Sequence, residues 1–464
     1  MKTVSAGVAA SHPATAQAGL QTLRAGGTAA DAAVAAVLTC CVAETIYTGL
    51  GGGGFATYFD AATGDVTCLD FFVAVPGTDG DRHPGPMIAV DVFFGGVPQV
   101  YSIGGASVAV PGVPAGAGEV HRRWGRLPWR DVVAPALELA KIGAVLPAAH
   151  ARTLAACAPA LAYGDGAACY APGGTLLEGG DLLFHPGLAS AMEGLAADGP
   201  SAFYTGAFAG VLVDTVRAAG GALGPADLAA YRVREPHVDH ARLAGHRIRA
   251  RHDLSRTVDT IGALPDELAD RPRRAVGLAT ALRDRGRQKI GDTTNVSVVD
   301  AAGNACVITT TLGLGGAVWL PGLGVNMNSM LGEGELITDD LAPGRRMSSN
   351  MCPLVVIGPD GRLAVAAGSA GASRIRTALI DTLLGVLVDD LDVPSAIARP
   401  RFHVVDDTVH AEVGYPEDEL TALADAGWTI NRWPDLNHYF GGVTAVGAGG
   451  AGGDPRRGGL GLLL

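Results

Sequence analysis

Hydrophobic and polar positions repeat with a helical period over residues 15–44. Alanine and leucine recur there at helical spacing, Gly26-Gly27 interrupts the pattern, and Thr28 precedes Asp31 by three residues, as in an N-terminal capping box. The pattern predicts two helices. The second, over residues 29–42, is apolar on all sides except at Asp31 and too short to span a bilayer, which predicts a buried helix.

Further along the chain the pattern becomes typical of strands. Residues 55–59 and 66–71 are rich in β-forming side chains and are separated by a polar turn at 60–64, which predicts a hairpin. Residues 296–299 and 306–311 predict a second hairpin across 300–304. Helical patterns occupy 115–160 and 186–230. Residues 76–105 carry many glycines and prolines and predict a loop, and the glycine-rich tail 447–461 is loosely specified. The basic runs 247–251 and 271–274 predict solvated loop faces.

Composition indicates a compact globular protein with a large core. The chain has 464 residues, 48% of them hydrophobic and 17% charged, and length alone suggests about three domains. A net charge of −12 without a cluster of Lys and Arg argues against a nucleic-acid or anionic-membrane partner. The seven cysteines form no CxxC pair, so we expect small buried side chains, no metal site and no cofactor.

The glycine run at residues 49–54 has two interpretations. It satisfies the dinucleotide-binding pattern GxGxxG, which requires a strand before it and a helix after it. Here a helical pattern precedes the run and a β-rich segment follows, which argues against a dinucleotide site. The glycines are better explained by a close approach of backbone segments.

Thr293 is the candidate nucleophile. It lies where a polar loop changes to the apolar segment after Thr294, and a threonine in that place can cut the preceding peptide bond and become a new N-terminus. Its own α-amine, with an ordinary pKa of roughly 7.7–8.0, would then serve as the base. The alternative is that Thr293 and Thr294 are simply β-branched residues that open a strand.

Motifs in a fixed order across nearly the whole chain resemble those of γ-glutamyltransferases. They are an ASHP start, LRAGG, DAAVAA and GLGGGGF in residues 7–71, then GPADLAAYRVRE, DTTNVSVVDAAGN, GRRMSSNMCP, GSAGASRI and ARPRF. The resemblance implies an N-terminal-nucleophile hydrolase with a four-layer αββα sandwich. It also implies self-cleavage between Asp292 and Thr293, giving segments 1–292 and 293–464 that stay together as one intertwined domain, a heterodimer of the two cleaved chains.

The resemblance implies roles for further residues. Thr311 matches the threonine that hydrogen-bonds the nucleophile, and Gly371-Ala372 matches a Gly-Gly pair whose backbone N–H groups form the oxyanion hole. Ser348 and Ser349 match the serine pair that holds the substrate carboxylate. Ordinary turn chemistry is the alternative for all of these.

Departures from the family pattern fall in the substrate pocket. Where the family has DFRE, with an arginine that binds the glutamate α-carboxylate, this chain has Phe72 and Val73 in place of the last two residues. Gly313 stands in place of an asparagine, and the segment 330–333 differs, although Glu333 is a candidate ligand for an amine. A Pro- and Ser-rich loop before the nucleophile is also missing.

Three functions remain open on this sequence. One is a hydrolase of a small metabolite, similar to relatives in actinobacterial alkylproline pathways that cleave a C–C bond next to a carbonyl. Another is a γ-glutamyl hydrolase or transferase of glutathione metabolism, and the third is an inactive homologue kept as a scaffold. Because the first motif follows directly after Met1-Lys2-Thr3-Val4, we expect no signal peptide, no membrane partner and a cytoplasmic location.

Overall fold

The structure is a computed structural model that describes residues 4–94, 97–252, 256–283, 293–334, 337 and 341–464. The helices, in chain order, are α1 Pro13–Arg24, α2 Ala29–Ala43, α3 Val113–Trp124, α4 Trp129–Ile142, α5 Ala148–Leu161, α6 Ala167–Tyr170, α7 Leu188–Asp198, α8 Ser201–Tyr204, α9 Ala209–Ala218, α10 Pro225–Ala230, α11 Thr257–Gly262, α12 Arg271–Leu282, α13 Arg374–Leu387, α14 Val393–Ala398 and α15 Glu417–Asp425.

The strands follow the same chain order. They are β1 Gly7–Ala10, β2 Gly53–Phe59, β3 Val66–Phe71, β4 Ile88–Phe94, β5 Val97–Ile103, β6 Ala144–Val145, β7 Leu182–Leu183, β8 Val238–Leu243, β9 His246–Arg251, β10 Thr294–Val299, β11 Ala305–Thr311, β12 Trp319–Leu320, β13 Val325–Asn326, β14 Leu354–Ile357, β15 Leu363–Ala370, β16 Phe402–Val405, β17 Thr408–Ala411, β18 Thr429–Arg432, β19 Gly442–Gly447, β20 Gly450–Gly453 and β21 Leu460–Leu463.

Two six-stranded sheets form the centre of the molecule. Their strand orders are β21-β1-β10-β11-β2-β3 and β20-β19-β15-β14-β9-β8. Helices α1 and α2 cover the outer face of the first sheet, and α13 and α14 cover that of the second. The inner faces meet through apolar side chains that include Phe59, Val299, Val355 and Val446. This arrangement is the four-layer αββα sandwich, and each sheet contains strands from both sides of Thr293.

The paired helices at the start of the chain are confirmed. Thr28 and Asp31 form the predicted capping box, with each side chain accepting from the other's backbone N–H. Every residue of α2 is buried, because one side packs on β10 and β11 while the others contact α1, α3 and α4. Both predicted hairpins, β2–β3 and β10–β11, are also present.

Polar side chains join the two sheets beside the N-terminal end of β10. The Ser297 Oγ donates to the carbonyl oxygen of Thr444 at 2.9 Å, and the Asn295 amide lies 2.7 Å from the Thr444 Oγ1. Gly368 of β15 packs directly on this amide, since a Cβ there would lie 2.0 Å from the Asn295 Oδ1. A side chain at position 368 would therefore separate the sheets.

The prediction of a loop over 76–105 is wrong in its second half. Strands β4 and β5 pair there as a hairpin. Val92, Tyr101 and Ile103 are buried against α5, including Leu154. Packing on a helix distant in sequence therefore stabilises strands that local glycine and proline content argues against.

The glycine-rich tail is also more ordered than predicted. Strands β20 and β21 lie at edges of the two sheets, and the turn between them is fixed by buried ion pairs. Arg456 pairs with Glu412 at 2.5 Å and with Asp454 at 3.1 Å, and Asp454 also pairs with Arg401 at 2.8 Å. Long-range charge pairing thus specifies a segment whose own sequence is permissive.

The two basic runs are not solvated loops. Residues 247–251 belong to strand β9, between β8 and β14. Residues 271–274 begin α12, where Arg274 is buried and forms a two-bond ion pair with Asp389, each bond 2.9 Å long. All seven cysteines are buried, as expected, and none forms a disulfide.

Gly368→Ala should lower the free energy of unfolding by about 1–3 kcal/mol, the usual cost of forcing extra volume into a packed interior. The physical reason is the overlap with Asn295. Gly210→Ala is the matched control, because this α9 position has open space around a Cβ and an ordinary φ. It should leave stability unchanged or raise it slightly. Thermal and denaturant unfolding of both variants checks this, and equal stabilities would contradict the inter-sheet contact.

Candidate active site

Thr293 lies at the N-terminal edge of β10 and its side chain faces the interior of the sandwich. The neighbouring Thr294 points the other way, toward α2, where its Oγ1 donates to the Glu44 carboxylate at 2.5 Å. Because side chains alternate along a strand, Thr293 shares the inner face with Asn295. Thr293 is only 4% exposed, so its hydroxyl lies in a largely desolvated site.

The backbones of Thr293 and of three further residues form a row across the first sheet. Thr294 pairs with Thr310, so continuing the register by one residue places Thr293 opposite Thr311. Thr311 pairs with Gly53, and the backbone of Phe72 lies 3.0 Å from where a Gly53 Cβ would be. Three strand spacings of about 4.8 Å put Phe72 roughly 14 Å from Thr293 along this row.

The turn at residues 49–54 needs glycine for close backbone approach. A Cβ at Gly52 would lie 2.3 Å from the carbonyl oxygen of Thr311, and one at Gly51 would lie 2.3 Å from that of Asn326. Strand β2 follows the run, as predicted. The glycines therefore press the turn against the end of β11, where Thr311 is held.

Gly371 and Ala372 form the sharp turn from β15 to α13. Their φ angles are +117° and +50°, and the second is a left-handed conformation that is unfavourable for alanine by roughly 1–2 kcal/mol. Neither amide N–H donates to a described residue, and Gly371 packs on Gly441. Strained turns with open N–H groups are typical of sites that bind developing negative charge.

Glu333 lies beside the end of β11. A Cβ at Gly313 would lie 2.5 Å from the Glu333 Oε1, and the Gly313 N–H donates to the Thr311 Oγ1 at 3.0 Å. Glycine at position 313, two residues after Thr311, therefore leaves room for the buried carboxylate of Glu333. The structure brings Glu333 to the side of Thr311, and binding of an amine stays a prediction.

Ser348 and Ser349 lie next to Phe72 and Val73. The Met347 N–H donates to the Val73 carbonyl at 3.1 Å, which places Ser348 at the following position of this pairing. Ser349 is buried, and its Oγ accepts from the Met351 N–H at 3.2 Å. Phe72 and Val73 have no exposed surface, so they shape the site from within the core rather than form its accessible wall.

Arg457 lies near Thr293 and was not predicted as a site residue, whereas the sequence offered Arg374 as a possible substitute for the missing pocket arginine. Arg457 is buried, and its Nη1 donates to the Thr293 carbonyl at 3.4 Å. Arg374 is also buried, and its Nε donates to the Tyr439 carbonyl at 3.0 Å. Burial, together with the charges of Arg457, Arg374 and Arg152, lowers the pKa of His438 to about 3, so this imidazole is neutral. The pair RR at 456–457 in a glycine-rich tail was the only sequence signal for Arg457.

Asp292, on the other side of the predicted cleavage site, lies outside the described residues. Within the described ranges, no group of three His, Cys, Asp or Glu side chains is arranged to hold a metal ion. No helix in those ranges is both long enough and apolar enough to cross a membrane.

The family profile described as Gamma-glutamyltranspeptidase matches residues 15–264 and 263–462. The chain belongs to this family. Acylase ACY 1 proenzyme of Pseudomonas sp. (strain V22) is 29% identical over 503 residues, covering 95% of this chain and 89% of the relative. Glutathione hydrolase proenzyme of Bacillus subtilis (strain 168) is 25% identical over 511 residues, covering 92% of this chain and 85% of the relative.

Solved structures agree on the fold of this γ-glutamyltranspeptidase family member. Cephalosporin acylase from Bacillus halodurans superimposes with a TM-score of 0.82 at 20% identity, covering 100% of this chain and 96% of that one. The structure of LmbA2991HD gives a TM-score of 0.78 at 19% identity, covering 100% and 98%. The family match and the relatives named acylase and glutathione hydrolase, together with this fold, identify the protein as an enzyme of the N-terminal-nucleophile hydrolase type.

Thr293→Ala should yield an uncleaved chain with turnover below about one thousandth of wild type, because both self-cleavage and catalysis need the hydroxyl. Thr293→Ser keeps a hydroxyl and should retain part of both. Intact mass and N-terminal sequencing of the smaller wild-type fragment provide the measurement. A fragment that starts anywhere but Thr293, or an active chain without cleavage, would show that another residue is the nucleophile.

Proposed function

We propose that this protein is a self-processing N-terminal-threonine hydrolase that attacks a carbonyl of a small metabolite and cleaves a C–C bond. We place the reaction in secondary-metabolite (4-alkyl-L-proline) biosynthesis, in the cytoplasm. The observation that carries the proposal is the row from Thr293 to Phe72. Its first end, with Thr293 opposite Thr311, supports a threonine nucleophile, while its far end has a buried aromatic ring where a γ-glutamyl enzyme needs a cation.

The proposed reaction begins with cleavage between Asp292 and Thr293, which frees the α-amine of Thr293. The amine then accepts the proton of the Thr293 hydroxyl as the Oγ1 attacks the substrate carbonyl. The backbone N–H groups of Gly371 and Ala372 stabilise the negative charge on the carbonyl oxygen, each by roughly 3 kcal/mol. Thr311, opposite Thr293, orients the nucleophile.

Collapse of the tetrahedral intermediate breaks the bond between the carbonyl carbon and the leaving carbon. The leaving carbon takes the electron pair and receives the proton held by the α-ammonium, so the substrate must delocalise that pair through a conjugated imine or carbonyl. Water, deprotonated by the same amine, then hydrolyses the ester on Thr293 and releases a carboxylic acid. Ser348, Ser349 and Glu333 are proposed to bind the polar groups of the substrate.

Amide hydrolysis is the second candidate. It needs the same nucleophile, base and oxyanion donors, with an amine as the leaving group. The similarity to the acylase proenzyme over 95% of the chain favours it. Hydrolysis or transfer of γ-glutamyl groups, as the glutathione hydrolase relative suggests, is the third.

Turnover of γ-glutamyl-p-nitroanilide should be weaker by about thirty- to several-thousand-fold than in a family member with the pocket arginine. The reason is the loss of a charge-assisted contact worth roughly 2–5 kcal/mol at position 72. Steady-state kinetics with this substrate, with N-acyl amides and with unsaturated pyrroline or keto acids separate the three reactions. Efficient γ-glutamyl turnover would return the protein to glutathione chemistry, and cleavage of acyl amides alone would favour the acylase.

A further inference from the structure

Strand β9 carries arginines at alternate positions along one face. Ile248 and Ala250 are buried in the core between the second sheet and the helices that cover it. Because side chains alternate along a strand, Arg247, Arg249 and Arg251 point to the opposite face, toward the first sheet. Arg247 is exposed, whereas Arg249 and Arg251 are partly buried. Arg251 contacts Phe55 of the first sheet.

The Arg251 guanidinium lies over the ring of Phe55, which belongs to a stacked aromatic pair. Its central carbon is 3.7 Å from the ring centroid of Phe55, and Phe55 stacks on Phe72 with centroids 5.4 Å apart. A cation held over an aromatic face is favourable, and the ring shields one side of the guanidinium from water. A cation therefore lies near Phe72, but it comes from the second sheet and reaches the site from a different direction than a side chain at position 72 would.

The hydrogen bonds of Arg251 fix the group but do not neutralise it. Nη1 donates to the His252 carbonyl at 2.7 Å and Nη2 donates to the Ser349 carbonyl at 3.0 Å. Among the described residues, none accepts a hydrogen bond from the buried Nε, and no carboxylate forms an ion pair with Arg251. Partly buried guanidinium groups in proteins are normally paired, because desolvating an unpaired charge is costly.

The position of Arg251 beside the serine pair, Ser348 and Ser349, indicates which kind of ligand the site would bind. The Ser349 carbonyl accepts a hydrogen bond from the Arg251 guanidinium. Ser348 precedes Ser349 in the chain and lies next to Val73. A planar guanidinium presents N–H groups in the geometry that a carboxylate accepts.

We propose that Arg251 is the anion-binding residue of this pocket, and that it binds a carboxylate of the substrate. The assignment rests on the proposed function in one respect, namely that the anion belongs to the molecule that Thr293 attacks. The site predicts a substrate class of carboxylate-bearing small metabolites, bound by a cation from the second sheet rather than by one on β3.

Calorimetric titration with glutarate, and with its uncharged diamide glutaramide, tests the site without requiring turnover. Wild type and full-length Thr293→Ala should both bind glutarate more tightly than glutaramide. Arg251→Gln should weaken glutarate binding by about 10- to 100-fold, the usual effect of losing a hydrogen-bonded charge. Arg251→Lys should bind more tightly than Arg251→Gln, because it keeps the charge without the planar fork.

Arg247→Gln is the matched control, since it removes the same charge from the same face of β9 at an exposed position. It should bind glutarate as wild type does. Thermal unfolding of each variant identifies any that fails to fold, and in that case the wild-type preference for glutarate over glutaramide decides. No such preference, or equal binding by folded Arg251→Gln and wild type, would overturn the assignment.

These experiments distinguish a failure of the proposed anion site at Arg251 from a failure of the proposed nucleophile Thr293. Glutarate binding that depends on Arg251, together with an active Thr293→Ala, supports the anion site and rejects the nucleophile. Conversely, an established Thr293-dependent hydrolysis with glutarate binding that is indifferent to Arg251 rejects the anion site alone.

Discussion

The contact between the two sheets at Asn295, Ser297 and Thr444 is the constraint on which the site depends. It joins β10, which carries the candidate nucleophile at its start, to β19 of the other sheet, and Gly368 of β15 allows the sheets to close over it. Strand β15 ends two residues later, at Ala370, and the strained turn at Gly371 and Ala372 follows. A buried polar contact of this kind is specific, because any other register would leave its donors and acceptors unsatisfied.

Around that contact, the proposed nucleophile and the proposed substrate pocket are built by different means. The nucleophile end uses backbone features: the start of a strand, a threonine opposite it, a glycine turn pressed on Thr311 and a turn with open N–H groups. The pocket end uses side chains on segments far apart in sequence, with Phe72 from the first sheet and Arg251 from the second. Substitutions in the pocket can therefore change the substrate while the reaction machinery stays intact.

Sequence predicted the elements whose stability is mostly local. The capping box at Thr28 and Asp31 and the two hairpins have short-range signals, and all three are present. It failed where distant packing overrides composition, as in the hairpin β4–β5 on α5 and in the tail held by Arg456. It also failed at β9, where the density of arginine obscured the alternation of Ile248 and Ala250 that marks a strand.

The sequence by itself determined the family, the fold and the candidate nucleophile, because ordered motifs and short-range periodicity encode them directly. It also indicated that the usual pocket arginine is absent, since that is a statement about one position. Only the tertiary structure decided what surrounds that position. Arg251 is 179 residues from Phe72 in the chain, and only the packing of one sheet on the other brings its guanidinium to the ring of Phe55. Contacts of that range follow from how two sheets close, which no local pattern of residues specifies.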